Sequence, residues 1–208
     1  MGKYTGPVCK LCRREGIKLY LKGEKCFTDK CPVERRGFPP GQHGLRRSKA
    51  TEFGTRLREK QKLKRIYGLM ERQFVRYFTL AERQTGSTGQ NLLQILEQRL
   101  DNTVFRLGFA SSRNQARQIV RNGHISMNGK SAMVPSTLVK PGDVIGVHEV
   151  YRSSAHHKRA LERSQERGVP PWVEVKAEEG KGRLIRLPTQ EEMNLPIQPQ
   201  LVVEFYSR

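Results

Sequence analysis

Acidic residues are scarce in this chain. Its 208 residues include 20 Asp and Glu against 39 Lys and Arg, a formal net charge of +19 with a pI near 10.3. A chain that basic repels itself when compact, so a polyanion is the expected partner. Apolar residues are also few. At 36% they fall below the usual level for a globular domain, which predicts a thin core. No apolar run approaches membrane length, and the N-terminus lacks the apolar stretch of a signal peptide. A soluble, intracellular protein of one or two domains is expected. Catalytic signatures are missing too: there is no G-x-x-x-x-G-K-S/T loop, no G-x-G-x-x-G and no G-x-S-x-G. The five histidines are scattered, so no enzymatic activity is expected.

Cysteine occurs only four times, at Cys9, Cys12, Cys26 and Cys31. A reducing cytosol disfavours disulfides. Two close pairs separated by thirteen residues suit a tetrahedral four-thiolate metal site. The competing readings are a two-disulfide staple and four unrelated thiols. Zn2+ and a 4Fe-4S iron–sulfur cluster both accept four thiolates, zinc being the commoner occupant. No histidine or water-activating carboxylate completes an open site, so one structural metal is expected.

What the chain has in abundance is cationic side chains, unevenly placed. Residues 1–50 hold thirteen Lys and Arg against four acids, a surplus of nine. Arg13, Arg14, Arg35, Arg36, Arg46 and Arg47 are among them. The segment FPPGQHG (Phe38–Gly44) reads as a loop along a phosphate backbone, with Gln42 and His43 at its tip. From Thr51 the pattern turns helical. Phe53, Leu57, Leu63, Ile66 and Tyr67 share helical spacing, and Gly68 is a stop. The other faces carry Arg56, Arg58, Lys60, Lys62, Lys64 and Arg65. With nine Lys and Arg and two acids, Arg46–Arg65 reads as a basic rim that grips phosphates. A second helix places Phe74, Tyr77, Phe78 and Ala81 on one side. A third begins after Thr88, with an apolar stripe through Leu92, Leu93, Ile95, Leu96 and Leu100. Packing is the expected role of these aromatic and aliphatic residues.

Residues 103–147 are the most informative stretch. Val104, Phe105 and Leu107 suggest a short helix ending at Gly108. Ser112 followed by Gln115 is a capping-box pattern, which predicts a helix over 113–121 that stops at Asn122-Gly123. Arg113, Arg117 and Arg121 recur every four residues on that helix. The string ISMNGK predicts a strand entering an Asn-Gly hairpin turn, and VIGVHEV a further strand after a KPGD turn. Between Arg106 and Gly142 there are six Lys and Arg and no acid. A solvated face normally mixes signs, so this stretch is read as neutralising phosphates. Beyond Tyr151 the chain predicts an exposed helix with a solvent-exposed His156–His157 pair. A hairpin (Val173–Val175 with Leu184–Leu187) follows, anchored by Trp172. The closing QLVVEFYSR predicts a terminal strand that docks back on the body.

The blocks GPVCKLCRREG, PPGQHG, RLREKQKLKRIYG, RLDNTVFRLGFASSRNQARQIVRNGHISMNG and EFYSR, in this order, resemble the family of bacterial small-subunit ribosomal protein four. The resemblance implies an α+β chain with a four-cysteine metal knot, a mostly helical body and a small RNA-binding domain of helices plus a short β-sheet. The implied divisions are a basic metal-binding segment (1–45), a helical body (46–97, with 196–208 docking back), an RNA-binding domain (98–160) and a hairpin-containing part (161–195). It implies a primary binder of small-subunit ribosomal RNA, at a junction in the 5′ body domain, that nucleates assembly of the subunit body. It also implies contact with small-subunit protein five, a contribution to translational accuracy, and a place near the channel through which mRNA enters. Arg113, Gln115, Arg117, Arg121, His124, Asn128 and Lys130 stand at the motif positions of the RNA face. The cysteine knot occurs in part of the family, and all four cysteines are present here. A cytoplasmic location in the small ribosomal subunit, of bacterial or organellar type, follows. Two rivals are weaker. An RNA-modifying enzyme with the same domain would need a catalytic domain, for which the remaining chain is too short. A zinc-knot DNA regulator would need a recognition helix and a dimerisation segment.

Overall fold

The computed structural model describes residues 2–45, 49 and 51–207. Arg46 and Arg47, assigned to RNA from the sequence, lie outside the described residues. The helices and strands in chain order begin with α1 (Val8–Glu15), α2 (Pro32–Arg35), α3 (Glu52–Ile66), α4 (Glu71–Glu82) and α5 (Thr88–Glu97). Next come α6 (Leu100–Arg106), α7 (Arg113–Arg121), β1 (Ile125–Met127), β2 (Lys130–Ser131) and β3 (Val144–Val147). The chain closes with α8 (Glu149–Arg152), α9 (Ala155–Arg167), β4 (Val173–Lys176), β5 (Lys181–Leu184), α10 (Gln190–Met193) and α11 (Pro199–Tyr206). The result is a mixed fold of helices and one small antiparallel sheet. It divides into two compact units, Met1–Leu92 with Pro196–Arg208, and Leu93–Leu195.

In the first unit, α3 starts where Thr51 accepts a hydrogen bond from Gly54 N, which satisfies one of the free amides of a helix start. Its inward face buries Leu63 and Ile66, while α4 buries Phe74, Tyr77, Phe78 and Ala81. Phe53, expected in this core, is 63% exposed, with its ring centre 5.6 Å from that of Phe205. The terminal segment is α11, not a strand. It docks back as expected, along α3. Pro199 sits in its first turn, where a missing N–H costs nothing. Pro199 and Val202 are buried, and Tyr206 packs on Phe74 and Phe78, a helical repeat that a short apolar run conceals.

In the second unit, β1, β2, β3, β4 and β5 form one antiparallel sheet in the order β2-β1-β3-β5-β4. Its core gathers Leu100, Val104 and Leu107 with Ala116, Val120, Ile125, Ile145 and Trp172. Ser112 accepts from Gln115 N at 3.3 Å and starts α7 at the expected residue. Asn128 and Gly129, with φ of 50° and 79°, make the expected β1–β2 turn. The second hairpin is shifted from its expected register: β5 begins at Lys181, and the turn ends at Gly180. Gly182 therefore lies within a strand. A Cβ there would come within 2.6 Å of Leu107 Cδ2, so glycine permits the sheet to approach α6 and its following residue. The two adjacent histidines also separate. His156 is exposed, but His157 is only 1% exposed, packed against the rings of Phe109 and Tyr151. In α9 it lies on the same buried side as Ala160 and Ser164.

Candidate nucleic-acid interface

Among the described residues the cations fall into two groups, those with a partner within the protein and those open to solvent. In α3 every Lys and Arg has a carboxylate. Arg56 donates to Glu204 at 2.8 Å and to Glu52 at 3.2 Å, and Arg58 and Arg65 converge on Glu15. Lys60 and Lys64 hold Glu71 at 2.7 and 2.6 Å, and Lys62 pairs with Glu59. Lys60 is buried, with its ammonium 4.7 Å from the centre of the Phe205 ring. Burial alone would push the Glu71 carboxyl up. Hydrogen bonds from Lys60, Lys64 and Tyr206 outweigh it and hold that carboxyl down at about 2. Arg56, Arg58, Lys60, Lys62 and Arg65, expected to grip phosphates, thus each meet a carboxylate of the protein. The sequence could not show this, because three of the acids, Glu15, Glu71 and Glu204, come from outside the helix.

The cysteine arm belongs to the same unit. Cys12, Cys26 and Cys31 are buried and Cys9 is half-buried. Burial pushes the Cys12 thiol up, and the neighbouring thiols of Cys26, Cys9 and Cys31 add to that effect. Lys22 N donates to Cys26 Sγ at 3.4 Å. The donor set therefore has the chemistry for a thiophilic metal. Among the described residues, however, no group of three or more His, Cys, Asp or Glu is arranged to hold an ion. Arg13 uses its guanidinium to shape the arm: its Nε donates to Arg36 O at 3.2 Å and Phe38 O at 3.1 Å, and it lies over the Phe38 ring. Arg14, Arg35, Arg36, Gln42 and His43 are exposed.

In the second unit the arginine stripe of α7 splits three ways. Arg113 donates to Asn102 Oδ1 at 2.7 Å and lies over the Phe105 ring. Arg117 is only 5% exposed and acts on the carboxylate of Asp101, which Arg99 forks at 3.0 and 2.6 Å. Arg121 is exposed. The sequence missed the organiser of this region, Glu97. Its buried carboxylate accepts from Arg106 at 2.8 Å through both oxygens, and from Asn102 at 2.8 Å. A buried carboxylate is tolerated only when paired in this way. Glu97 and Asp101 stand just before the acid-free stretch and fold onto it, so the apparent surplus there is partly neutralised from within.

The other motif residues also hold the fold. Gln115 Oε1 accepts from Ser111 N and Oγ, and its Nε2 donates to the Tyr151 hydroxyl. His124 stacks on Tyr151 with ring centres 5.2 Å apart. Asn128 donates to Asp143 and accepts from Val144 N, which ties the hairpin turn to β3. Lys130 on β2 is exposed. Of the seven motif residues, Arg121 and Lys130 offer their charges to solvent most openly. The others set the geometry that positions them.

A helix–hairpin module with cations at its rim, and a helical unit laced by ion pairs, are the features of a basic RNA-binding protein. Two family models match the chain: "Ribosomal protein S4/S9 N-terminal domain" over residues 3–97 and "S4 domain" over residues 98–145. The "Small ribosomal subunit protein uS4" of Thermoanaerobacter sp. (strain X514) is 61% identical over 208 residues, the whole of both chains. The proteins of that name from Halothermothrix orenii and Thermodesulfovibrio yellowstonii are each 54% identical over the same span. The chain belongs to the uS4 family of small ribosomal subunit proteins, which are structural components of the ribosome and not enzymes. No helix among the described residues is long and apolar enough to cross a membrane.

Proposed function

We propose that this protein is a primary binder of small-subunit ribosomal RNA, at a junction of helices in the 5′ body domain. There it nucleates assembly of the subunit body in the cytoplasm. It touches small-subunit protein five at a contact that contributes to translational accuracy, and it lies near the channel through which mRNA enters. The observation that carries the RNA reading is the hydrogen-bonded α7–β1–β2 module. Its internal hydrogen bonds present Arg121 and Lys130 without using their charges. RNA shape and junction geometry set specificity, since A-form RNA offers few readable base edges. Filter binding at moderate salt tests this. The full chain should bind a 5′ body-domain RNA fragment far more tightly than duplex DNA. Equal affinity for the two would contradict the reading.

For the arm, the proposal is that Cys9, Cys12, Cys26 and Cys31 together hold one structural metal, Zn2+ or a 4Fe-4S cluster. The burial of Cys12, Cys26 and Cys31 and the electrostatic effect of the other three thiols on Cys12 support it. The metal would supply a cross-link and neutralise the thiolates. Elemental analysis with an absorbance spectrum distinguishes the two ions, because iron–sulfur is coloured and zinc is not. Cys9→Ser should release the metal while α3, α4 and α11 stay folded. Retained stoichiometric metal in that variant would remove the four-thiolate assignment.

A further inference from the structure

Helix α4 and the residue that caps its C-terminus carry three arginines. Arg72, Arg76 and Arg83 are all exposed, and no carboxylate among the described residues pairs with them. At 100° per residue, Arg72, Arg76, Thr79 and Arg83 fall within an arc of about 60°. That arc points directly away from the buried side formed by Phe74, Tyr77, Phe78 and Ala81. Val75 and Leu80, 40% and 38% exposed, flank it. The acids of α4 stay off the arc. Glu71 is turned to Lys60, Lys64 and Tyr206, and Glu82 lies on the flank beyond Val75.

A solvated helix face normally alternates signs. Adjacent α3 illustrates how this chain treats cations meant for its own fold: each of the six has a carboxylate within reach. The α4 stripe receives none. The three guanidiniums spread along about 16 Å of helix, from the rise of 1.5 Å per residue. Such spacing suits several phosphates of one RNA strand or of facing strands. Arginine forks onto phosphate oxygens, and the aliphatic surface of Val75 and Leu80 can lie against ribose. A protein partner docking here would need acidic side chains opposite three arginines with only a narrow apolar contribution.

We propose that the outer face of α4, and not α3, is the phosphate-binding surface of the helical unit. This rests on the ribosomal RNA reading above and extends it to residues outside the S4 domain. The test is the salt dependence of binding to the 5′ body-domain RNA fragment, by filter binding with the full chain. One variant carries Arg72→Gln, Arg76→Gln and Arg83→Gln together, and a second carries Lys62→Gln on α3. Each phosphate contact adds about 0.7–0.9 to the slope of log K against log salt, so the triple variant should lose about two units of slope. Its affinity near 0.1 M salt should fall at least tenfold, with its melting temperature unchanged. A triple Arg→Lys variant should restore most of the slope. Lys62→Gln should keep the full slope. Wild-type binding with an unaltered slope in the triple variant overturns this proposal alone. Failure of the wild type to prefer the RNA fragment over duplex DNA overturns it together with the function. Intact RNA binding with lost incorporation into subunits would assign the face to a protein and also overturn it.

Discussion

Helix α3 carries six Lys and Arg, and α7 carries three Arg. In α3 all six are paired, and Arg56, Arg58 and Arg65 reach acids 148, 43 and 50 positions away. In α7 the three are graded along the helix: Arg113 is hydrogen-bonded, Arg117 is buried and Arg121 is exposed. Charge density along a sequence therefore says little about which charges a polyanion can reach. The deciding quantity is whether the fold returns a carboxylate to each cation. Where it does, the cation stabilises the protein. Where it does not, the charge stays open to a polyanion.

This contrast can be broken most forcefully at α7. Arg117→Glu places an acid beside Asp101 in a buried site. Uncompensated buried charge costs about 3–5 kcal/mol, enough to unfold the second unit in mild denaturant. Arg121→Glu, four residues away, should leave the denaturation midpoint within about 0.5 kcal/mol of wild type while weakening RNA binding. A reversal of the two effects in urea melts and filter binding would show that the buried and exposed assignments are exchanged. A smaller effect is expected at α3. Lys60→Met removes a buried ammonium from Glu71, and the loss should be about 1–3 kcal/mol with the RNA salt slope retained. Loss of slope without loss of stability would return α3 to the RNA face.

Acid should act on the two units at different pH. Glu71 is held at about 2 against an ordinary value of 4.5, so its pairing contributes stability that is present above pH 4.5. That contribution fades as pH falls from 4.5 towards 2. Burial, opposed by a hydrogen bond with the Phe109 backbone and reinforced by Arg152, holds the His157 imidazole below its ordinary 6.5. Its contribution is present above pH 6.5 and is lost as pH falls through the lower folded value. This is the smallest effect predicted. Amide exchange measured between pH 7 and 5 should show α9 loosening first, and His157→Phe should remove that sensitivity. Uniform loosening of both units would mean the histidine is not responsible.

The sequence revealed features that depend on neighbours in the chain. Ser112 marks the start of α7, and Asn128-Gly129 marks the hairpin, because a cap and a tight turn each need only a few adjacent residues. It hid α11, whose apolar run is too short to separate a period of two from one of 3.6. It also hid the ion pairs. Arg56 and Glu204 are 148 positions apart, and Arg65 and Glu15 are 50 apart. Local charge assigned α3 to RNA and the family motif assigned Arg117; neither signal shows that these cations meet carboxylates within the fold. The family resemblance, carried by long motif blocks, needed no such contacts, and the family it named is the one the chain belongs to.

The central claim is that ribosomal RNA is held by the cations the fold leaves unpaired. Its most direct test is the salt slope of 5′ body-domain RNA binding for Arg121→Gln with Lys130→Gln, against that for Arg58→Gln with Lys62→Gln. The account predicts a slope reduced by about 1.4–1.8 for the first pair and unchanged for the second. An unchanged slope for the first pair with a reduced slope for the second would contradict it.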